Sequence, residues 1–327
     1  MKAIIVGCGF MGRMHGHVYG RLDGVQLVGA VDLKPDVATQ MGEDFGVPCF
    51  TDLATAIEAI RPDIVDVCLP TDEHRRATVL ALEADCHVFC EKPMALTLQD
   101  ADAMIAASVT ADRALMVGHC IRFWPEYVRL KQAVDRGELG DLRALTLTRY
   151  GAFPTWSSEN WLANPDRAGG GVLDMHIHDL DFALYLLGEP TEMHADGVVD
   201  ARGAGYATTV LTYPKTSVIV EGGWTLPAGS PFRMGFRAIF DHGAMIWEGS
   251  PLTIYRDGAE PETPVFEKMP AAGGGNIDDL GGYYHELKYF VDCLSQGRSI
   301  DVANGTQARN TLAWSRAEID QILARRG

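Results

Sequence analysis

Short apolar segments alternate with amphipathic segments along the first third of the chain. The apolar runs predict strands at 3–6, 25–31, 64–69, 87–90 and 114–117. The spacing of apolar positions between them predicts helices at 11–22, 53–60, 73–83 and 98–108. Strands that read as unbroken apolar runs and are separated by helices are typical of a parallel sheet covered on both faces. The pattern therefore predicts an α/β fold whose first part is a doubly wound parallel sheet.

The pattern changes after about residue 120. Helices are predicted at 125–136, 172–187, 283–294 and 306–324, with a glycine-rich loop at 270–275. Strand-like runs fall at 144–150, 208–213, 217–224, 233–240, 244–248 and 252–255. Because glycine and proline separate the later runs with little helix between them, we expect a mostly antiparallel sheet. The predicted domains are 1–119 and 120–327, with the last helix packing back on the first domain.

Composition narrows the function classes. The 327 residues include 28 Lys and Arg against 44 Asp and Glu, a formal net charge of −16. A field of that sign repels phosphate backbones, which argues against nucleic acids and anionic membranes as partners. No apolar run approaches the roughly 20 residues of a membrane span, and the first apolar run is too short for a signal peptide. Seven cysteines without a C-x-x-C pair indicate free thiols in the cytoplasm.

A glycine-rich turn follows the first predicted strand. It reads Gly7-Cys8-Gly9-Phe10-Met11-Gly12, which is G-x-G-x-x-G, and the second strand ends in Asp32. This order of strand, turn, helix and acid is the dinucleotide-binding fingerprint. The first glycine permits the tight turn, the second lets the backbone approach the pyrophosphate, and the third allows close helix packing. The helix N-terminus then offers its N–H groups to the phosphates.

Asp32 indicates which dinucleotide binds. Its carboxylate is suited to the adenosine ribose hydroxyls and would repel a 2′-phosphate, so NAD is favoured over NADP. Lys34 and Arg13 are near enough in sequence to weaken that preference, and NADP stays open. The structural alternative is an ordinary α/β turn followed by an incidental aspartate.

Two further strand ends carry polar residues. Lys92 lies in Glu91-Lys92-Pro93, directly after the predicted strand 87–90. Ligands of open α/β sheets bind beyond the carboxyl ends of the strands, and the proline admits a cis bond. The preceding strand is followed by Leu69-Pro70-Thr71, with His74 shortly after. Thr71 and His74 are expected to line the same crevice, and the alternative for each is a helix cap.

The densest polar cluster lies in the second predicted domain, between residues 169 and 181. Asp174 and His178 are four residues apart, so on a helix they share one face. A carboxylate beside an imidazole orients the ring and raises its basicity. Oxidation of a CHOH carbon requires loss of the hydroxyl proton, and histidine suits that general-base role. A zinc site formed with His176 and Asp179 is the weaker alternative, because residues two apart on a helix face different ways.

The glycine loop, the Glu91-Lys92-Pro93 strand end and the Asp174–His178 pair together resemble the glucose–fructose oxidoreductase and inositol dehydrogenase family (Gfo/Idh/MocA). The resemblance covers essentially the whole chain. It implies an N-terminal Rossmann domain and a C-terminal α/β domain with a large open sheet, through which family members commonly form homodimers or homotetramers. It also implies NAD(P)-dependent hydride transfer to or from a sugar or polyol hydroxyl carbon.

By the same resemblance, Lys92, Asp174 and His178 match the catalytic set of the family, without a metal. His178 is expected to accept the hydroxyl proton, Lys92 to stabilise the developing alkoxide, and Asp174 to bind substrate and tune His178. His176 departs from the family pattern, which often has a small residue there. The predicted cofactor-binding set is Gly7, Gly9, Phe10, Met11, Gly12, Asp32, Leu69, Pro70, Thr71, His74, Glu91, Lys92 and Arg122.

Several other residues are candidates for contact with the substrate. Arg122 resembles a family position near the nicotinamide, and its alternative role is an internal ion pair. Trp161, in an irregular loop, has an aromatic face suited to a sugar, and its alternative role is to anchor the loop. Tyr283 also resembles a family position, with the alternative of a helix core residue. The predicted substrate-binding set is Lys92, Arg122, Trp161, Asp174, His178 and Tyr283.

The leading hypothesis is thus a cytoplasmic NAD(P)-dependent dehydrogenase or reductase of CH–OH groups, with NAD favoured and a small sugar or polyol as its partner. Two alternatives remain open. A non-catalytic regulator could sense NAD on the same scaffold, since a fold does not determine a function. A relative could also use the cofactor transiently to cleave a glycoside.

Overall fold

The computed structural model describes residues 1–249, 251–270 and 279–326, so most of the predicted loop 270–275 lies outside the described residues. The chain divides into two compact units. The first unit comprises residues 1–120, 157–161 and 268–312, and the second comprises 121–156, 162–267 and 313–327. Two later segments of the chain thus belong with the N-terminal residues.

The helices and strands have the following bounds. The strands are β1 Lys2–Val6, β2 Gln26–Val31, β3 Cys49–Phe50, β4 Ile64–Val67, β5 His87–Cys90, β6 Leu115–Val117, β7 Leu142–Ala152, β8 Glu192–Asp200, β9 Gly203–Thr212, β10 Ser217–Leu226, β11 Arg233–Phe240, β12 Gly243–Glu248 and β13 Thr253–Arg256. The α-helices are α1 Phe10–Tyr19, α2 Pro35–Phe45, α3 Leu53–Ile60, α4 His74–Glu83, α5 Leu98–Ala111, α6 Pro125–Asp135, α7 Pro165–Ala168, α8 Ile177–Leu187, α9 Gly281–Ser295 and α10 Gly305–Arg326.

The first unit is built on a parallel sheet of six strands in the order β3-β2-β1-β4-β5-β6. All four residues of β4 are buried, as are the last four of β1 and the last three of β5. Central strands of a parallel sheet have both faces covered, which explains their unbroken apolar runs. The predicted doubly wound parallel sheet is confirmed. The chain reverses its direction of winding at β1 and β4, so the loops after these strands lie at the switch point where such folds bind ligands.

The second unit contains a seven-stranded sheet in the order β13-β12-β11-β7-β10-β9-β8. All its pairs are antiparallel except β7 with β10, which run parallel. Buried and exposed residues alternate along β9 and β11, so one face of the sheet packs inward and the other is open. The predicted mostly antiparallel open sheet is confirmed. Among the described residues, no helix is both long enough and apolar enough to cross a membrane.

Besides the four-residue helix α7, three elements have no counterpart among the predicted ones. Helix α2 buries only Ala38, Met41 and Gly42, so its apolar stripe is weak. Strand β3 has two residues and pairs with β2 at the edge of the sheet. Strand β8 forms the edge of the second sheet and carries mixed polar residues. In each case contacts with neighbouring elements stabilise a segment whose own sequence pattern does not predict a helix or strand. The helix predicted at 172–187 begins instead with a π-helical turn, Val172–His176, before α8.

Candidate active site

The three glycines of the first loop have distinct geometric roles. Gly7 has a φ of +94°, and a Cβ there would lie 2.5 Å from the carbonyl oxygen of Cys68. A Cβ on Gly12 would lie 2.0 Å from the carbonyl oxygen of Gly7. A Cβ on Gly9 would meet no protein atom within 4 Å, so the backbone here is open. Helix α1 starts directly after Gly9, which has no side chain to cap it. The loop therefore has room at Gly9, at the N-terminus of α1, for a dinucleotide pyrophosphate.

The carboxylate of Asp32 is held beside this loop by backbone N–H groups. Its Oδ2 accepts a hydrogen bond from the N–H of Cys8 and its Oδ1 from that of Lys34, each at 2.9 Å. Burial and the Asp32 charge raise the pKa of the Cys8 thiol to about 12, so Cys8 stays uncharged. The carboxylate is thus fixed at the end of β2, where the ribose of a dinucleotide is bound.

The two cations that were expected to weaken the preference for NAD both have acidic partners. The Nζ of Lys34 lies 2.7 Å from Oε1 of Glu159 and donates to the hydroxyl of Ser158. Arg13 pairs with Asp44 in α2. Each cation is thus paired with a carboxylate other than that of Asp32. Each would have to leave that carboxylate to bind a 2′-phosphate.

Lys92 is half-buried just beyond the end of β5, and its peptide bond to Pro93 is cis, as the sequence allowed. The neighbouring loop after β4 places Leu69 and Pro70 half-buried and Thr71 buried in a short 3-10 turn. His74 joins the two loops, because Nε2 lies 2.8 Å from the carbonyl oxygen of Leu69 and Nδ1 lies 2.9 Å from that of Pro93.

The side chains of His74 and Glu91, both predicted to bind the cofactor, contact other protein groups, and their role toward the cofactor stays a prediction. Burial lowers the pKa of His74, and both of its ring nitrogens face backbone carbonyls, so its side chain ties loops together. The Glu91 carboxylate is 5% exposed and faces the interior, with Oε1 3.2 Å from Nε2 of His15. Its Oε2 accepts a hydrogen bond from the N–H of Lys92 at 3.1 Å. The His74 side chain therefore contacts the backbone of two loops, and the Glu91 side chain contacts His15 and the backbone of Lys92.

In the second unit, Asp174 lies in the π-helical turn and His178 in the first turn of α8. Asp174 is half-buried, and His178 is buried with 8% of its surface exposed. The prediction assumed a continuous α-helix, whereas a π turn holds more residues per turn than an α turn. Such turns are rare and recur at functional sites.

The other polar residues of this stretch are fully buried in ion pairs. His176 Nε2 lies 2.9 Å from Oε1 of Glu318 in α10. Burial lowers the pKa of His176, but the Glu318 carboxylate outweighs it and leaves the pKa raised. Asp179 accepts from Nε of Arg149 at 2.6 Å and from the hydroxyl of Tyr127 at 3.1 Å. The zinc alternative is therefore not supported for His176 and Asp179, which have other partners.

Arg122 forms the third such pair. Its Nε and Nη2 donate to the two carboxylate oxygens of Asp181 at 2.7 and 2.6 Å. The Arg122 side chain is 2% exposed and stacks over the ring of Tyr185. The geometry thus favours the internal ion pair over the cofactor or substrate contact predicted for Arg122.

The remaining predicted residues are distributed as follows. Phe10 and Met11, in the first turn of α1, are half-buried. Trp161 is half-buried and belongs to the first unit with segment 157–161. Tyr283, in α9, also belongs to the first unit, and its ring centroid lies 6.4 Å from that of His15.

One cluster in the first unit was missed by the sequence analysis. His15, Asp66, Glu91 and Glu286 converge in the interior from α1, β4, the end of β5 and α9. Each is a charged or titratable residue on a buried face, and Asp66 interrupts an apolar strand. A charged residue in an apolar strand is a usable signal, but no local pattern reveals that the other members of the cluster come from three other elements.

Three comparisons bear on this geometry. The family models for the GFO/IDH/MocA oxidoreductase family match residues 1–119, as the NAD-binding Rossmann fold, and residues 127–246, as the C-terminal domain. An inositol 2-dehydrogenase from Rhizobium meliloti (strain 1021) is 31% identical over 98% of this chain and 97% of its own length. A D-apiose dehydrogenase from Paraburkholderia graminis is 34% identical over 67% of this chain, and the match spans 59% of that relative.

Among solved structures, an oxidoreductase from Agrobacterium radiobacter in complex with NAD+, L-tartaric acid and magnesium superposes with a TM-score of 0.88. It is 22% identical and covers 98% of this chain and 96% of its own, which shows a shared fold. The chain therefore belongs to the GFO/IDH/MocA oxidoreductase family, with an NAD-binding Rossmann domain at its N-terminus.

Proposed function

We propose that this protein is an NAD-dependent dehydrogenase or reductase that acts on a CH–OH carbon of a small sugar or polyol. The observation that carries the proposal is the cradle of Gly7, Gly9 and Gly12, whose open side fits a dinucleotide pyrophosphate. Its relatives support the substrate class, because the two described above are named for inositol and D-apiose. We place the cofactor-binding domain at 1–119 and the substrate-binding domain at 120–327.

In the proposed mechanism, bound NAD supplies the hydride acceptor for oxidation, and the protein supplies position and proton transfer. His178 takes the hydroxyl proton at an imidazole nitrogen during oxidation and returns it during reduction. Lys92 stabilises the developing alkoxide with its ammonium group. Asp174 hydrogen-bonds a substrate hydroxyl and orients His178. Trp161 and Tyr283 are proposed to contact the substrate.

The test is a panel of aldoses, inositols and sugar lactones, each assayed with NAD and NADP by the absorbance of reduced nicotinamide. Turnover with NAD that is lost in Lys92→Ala and His178→Ala supports the proposal. Tight NAD binding without turnover across the panel would instead favour a sensor of NAD. Equal rates with NADP would contradict the role of Asp32, since its charge should repel a 2′-phosphate.

Gly9→Ala is expected to weaken NAD binding at least tenfold, about 1.4 kcal/mol, because the methyl group would occupy the space of the pyrophosphate. The free protein should keep its thermal stability, since a Cβ at Gly9 meets no atom within 4 Å. Gly20→Ala at the other end of α1 is the matched control, where the nearest atoms to a Cβ are 3.7 Å away. Titration by nicotinamide fluorescence measures both variants, and equal affinities would contradict the assigned phosphate site.

We also propose that the chain forms a homodimer or homotetramer through the open sheet and resides in the cytoplasm. Apolar side chains on its strands remain substantially exposed, including Val210, Ile219, Ile239 and Tyr255. Val210 and Ile219 are direct cross-strand partners, so they form one patch. An exposed apolar patch of this kind marks an interaction surface. All seven cysteines are free thiols, which agrees with a reducing compartment.

Ile219→Lys is expected to weaken self-association at least tenfold, about 1.4 kcal/mol, because a charge would enter the apolar contact. Light scattering over a concentration series measures this. Val109→Lys on α5 replaces an exposed apolar residue of the other unit and serves as control. If Ile219→Lys and the unchanged protein have the same mass at every concentration, this face is not the interface.

A further inference from the structure

The cluster of His15, Asp66, Glu91 and Glu286 is an ionisable centre sealed inside the first unit. Exposure is 0% for His15, Asp66 and Glu286 and 5% for Glu91. His15 lies between two carboxylates: Nδ1 is within hydrogen-bond distance of Oδ2 of Asp66, at 2.9 Å, and Nε2 lies 3.2 Å from Oε1 of Glu91. The nearest ligand-type atoms of His15, Glu91 and Glu286 all lie within 4.8 Å of one another.

Glu286 is the unusual member of this cluster. Within the part of the chain that the structure describes, neither of its carboxylate oxygens has a hydrogen-bond partner. An ionised carboxylate in that position would be buried, without hydrogen bonds from the described residues and close to the Glu91 charge, which is costly. Burial raises the pKa of Glu286 well above its usual value, and the Glu91 carboxylate raises it further.

The rest of the cluster is arranged around one positive charge. Burial lowers the pKa of His15, but the Asp66 carboxylate outweighs this and leaves the pKa well above its usual value. Burial raises the pKa of Glu91, but contact with His15 and the charge of Lys92 leave it lowered. The nearby Tyr19 and Cys68 are kept neutral, since burial raises the pKa of each. The ring of Tyr283 in α9 also lies near His15, with the two ring centroids 6.4 Å apart.

We propose that this cluster holds two protons, one on His15 as imidazolium and one on Glu286 as a neutral carboxylic acid, and that it positions the strand end that carries Lys92. The link is Glu91, whose Oε1 faces His15 and whose Oε2 accepts the N–H of Lys92. Two protons leave only Asp66 and Glu91 negative, balanced by His15 and by Lys92 beyond the strand end. His15, Glu91 and Glu286 are therefore positioning residues, and their effect on turnover rests on the proposed function of Lys92.

A divalent cation is the competing occupant. His15 Nε2, Glu91 and Glu286 would supply three ligands, and a carboxylate on the other ring nitrogen, as Asp66 is, commonly supports a metal-binding histidine. A metal would neutralise the same charges and would need Glu286 ionised. The protonation state of Glu286 therefore separates the two possibilities.

The first experiment compares urea unfolding of the unchanged protein and Glu286→Gln over a range of pH. A carboxyl whose folded pKa is raised keeps its proton when folded but loses it on unfolding above about pH 4.3. Stability then falls as pH rises, so the unfolding constant of the unchanged protein should increase about tenfold per pH unit relative to Glu286→Gln. Glu58→Gln, an exposed carboxyl on α3, gives the baseline.

A pH-independent ratio between about pH 5 and 8 would overturn the proposal, since Glu286 would then be ionised in the folded protein. Stoichiometric metal in the purified protein that disappears in Glu286→Gln would overturn it as well. Neither measurement depends on turnover, so the result stands even if the proposed dehydrogenase activity fails.

The second experiment tests the link to Lys92 and needs an active substrate from the panel. Glu286→Gln keeps a neutral hydrogen-bonding group and is expected to retain more of kcat than Glu286→Leu at matched thermal stability. Glu91→Gln is expected to lower kcat more than it raises KM, because Lys92 would be misplaced in the transition state. If turnover exists and all three variants keep kcat, the positioning role is wrong.

Discussion

Replacing His178 with alanine is expected to lower kcat by about a hundredfold to ten-thousandfold, the usual contribution of a general base. The hydroxyl proton must leave the substrate as the hydride departs. A water molecule at this nearly buried position is a poor substitute for a fixed imidazole as the proton acceptor. His178 is 8% exposed and lies in the first turn of α8, which begins at the end of a π-helical turn. The rise of kcat with pH that reports the general base should be absent in His178→Ala.

His194→Ala is the control for that experiment, because His194 is an exposed histidine of β8 in the same unit. It removes an imidazole without touching the proposed site. Steady-state kinetics over pH with the best substrate of the panel measure both variants. A kcat for His178→Ala within about threefold of the unchanged enzyme would remove His178 as the proton acceptor.

Asp181→Ala is expected to lower the free energy of unfolding by about 3–5 kcal/mol, the usual cost of breaking a buried ion pair. The carboxylate of Asp181 is fully buried and accepts two hydrogen bonds from the guanidinium of Arg122, which is also buried. Its removal takes away both of these carboxylate contacts from a guanidinium that is itself 2% exposed. Urea unfolding at constant pH measures the loss.

Two variants sharpen this test. Arg122→Met combined with Asp181→Leu removes both charges and should lose less stability than Asp181→Ala alone, because no single charge is left behind. Asp135→Ala breaks the exposed pair with Lys131 on α6 and should change stability far less. A double variant as unstable as Asp181→Ala would show that packing, and not the buried charge of Arg122, determines the cost.

Local pattern was sufficient for elements whose burial is regular. Strands β5 and β11 and helix α3 have the predicted bounds, because each has a clear apolar pattern ended by turn residues. Helix α2 and strands β3 and β8 were not predicted, since a neighbouring element supplies their stability. The same distinction applies to the cofactor loop. Its glycines and Asp32 belong to one strand–turn–helix–strand unit, so their spacing already carries the geometry.

The sequence by itself determined a parallel α/β domain, an antiparallel open sheet, a dinucleotide loop and the residues proposed for catalysis. Only the tertiary structure decided that Arg122 pairs with Asp181, that Glu91 faces inward to His15, and that α9 belongs with the first unit. The physical reason is the separation along the chain over which each effect acts. Periodicity and turn chemistry act over a few residues, whereas a buried charge is satisfied by whichever element folding brings beside it.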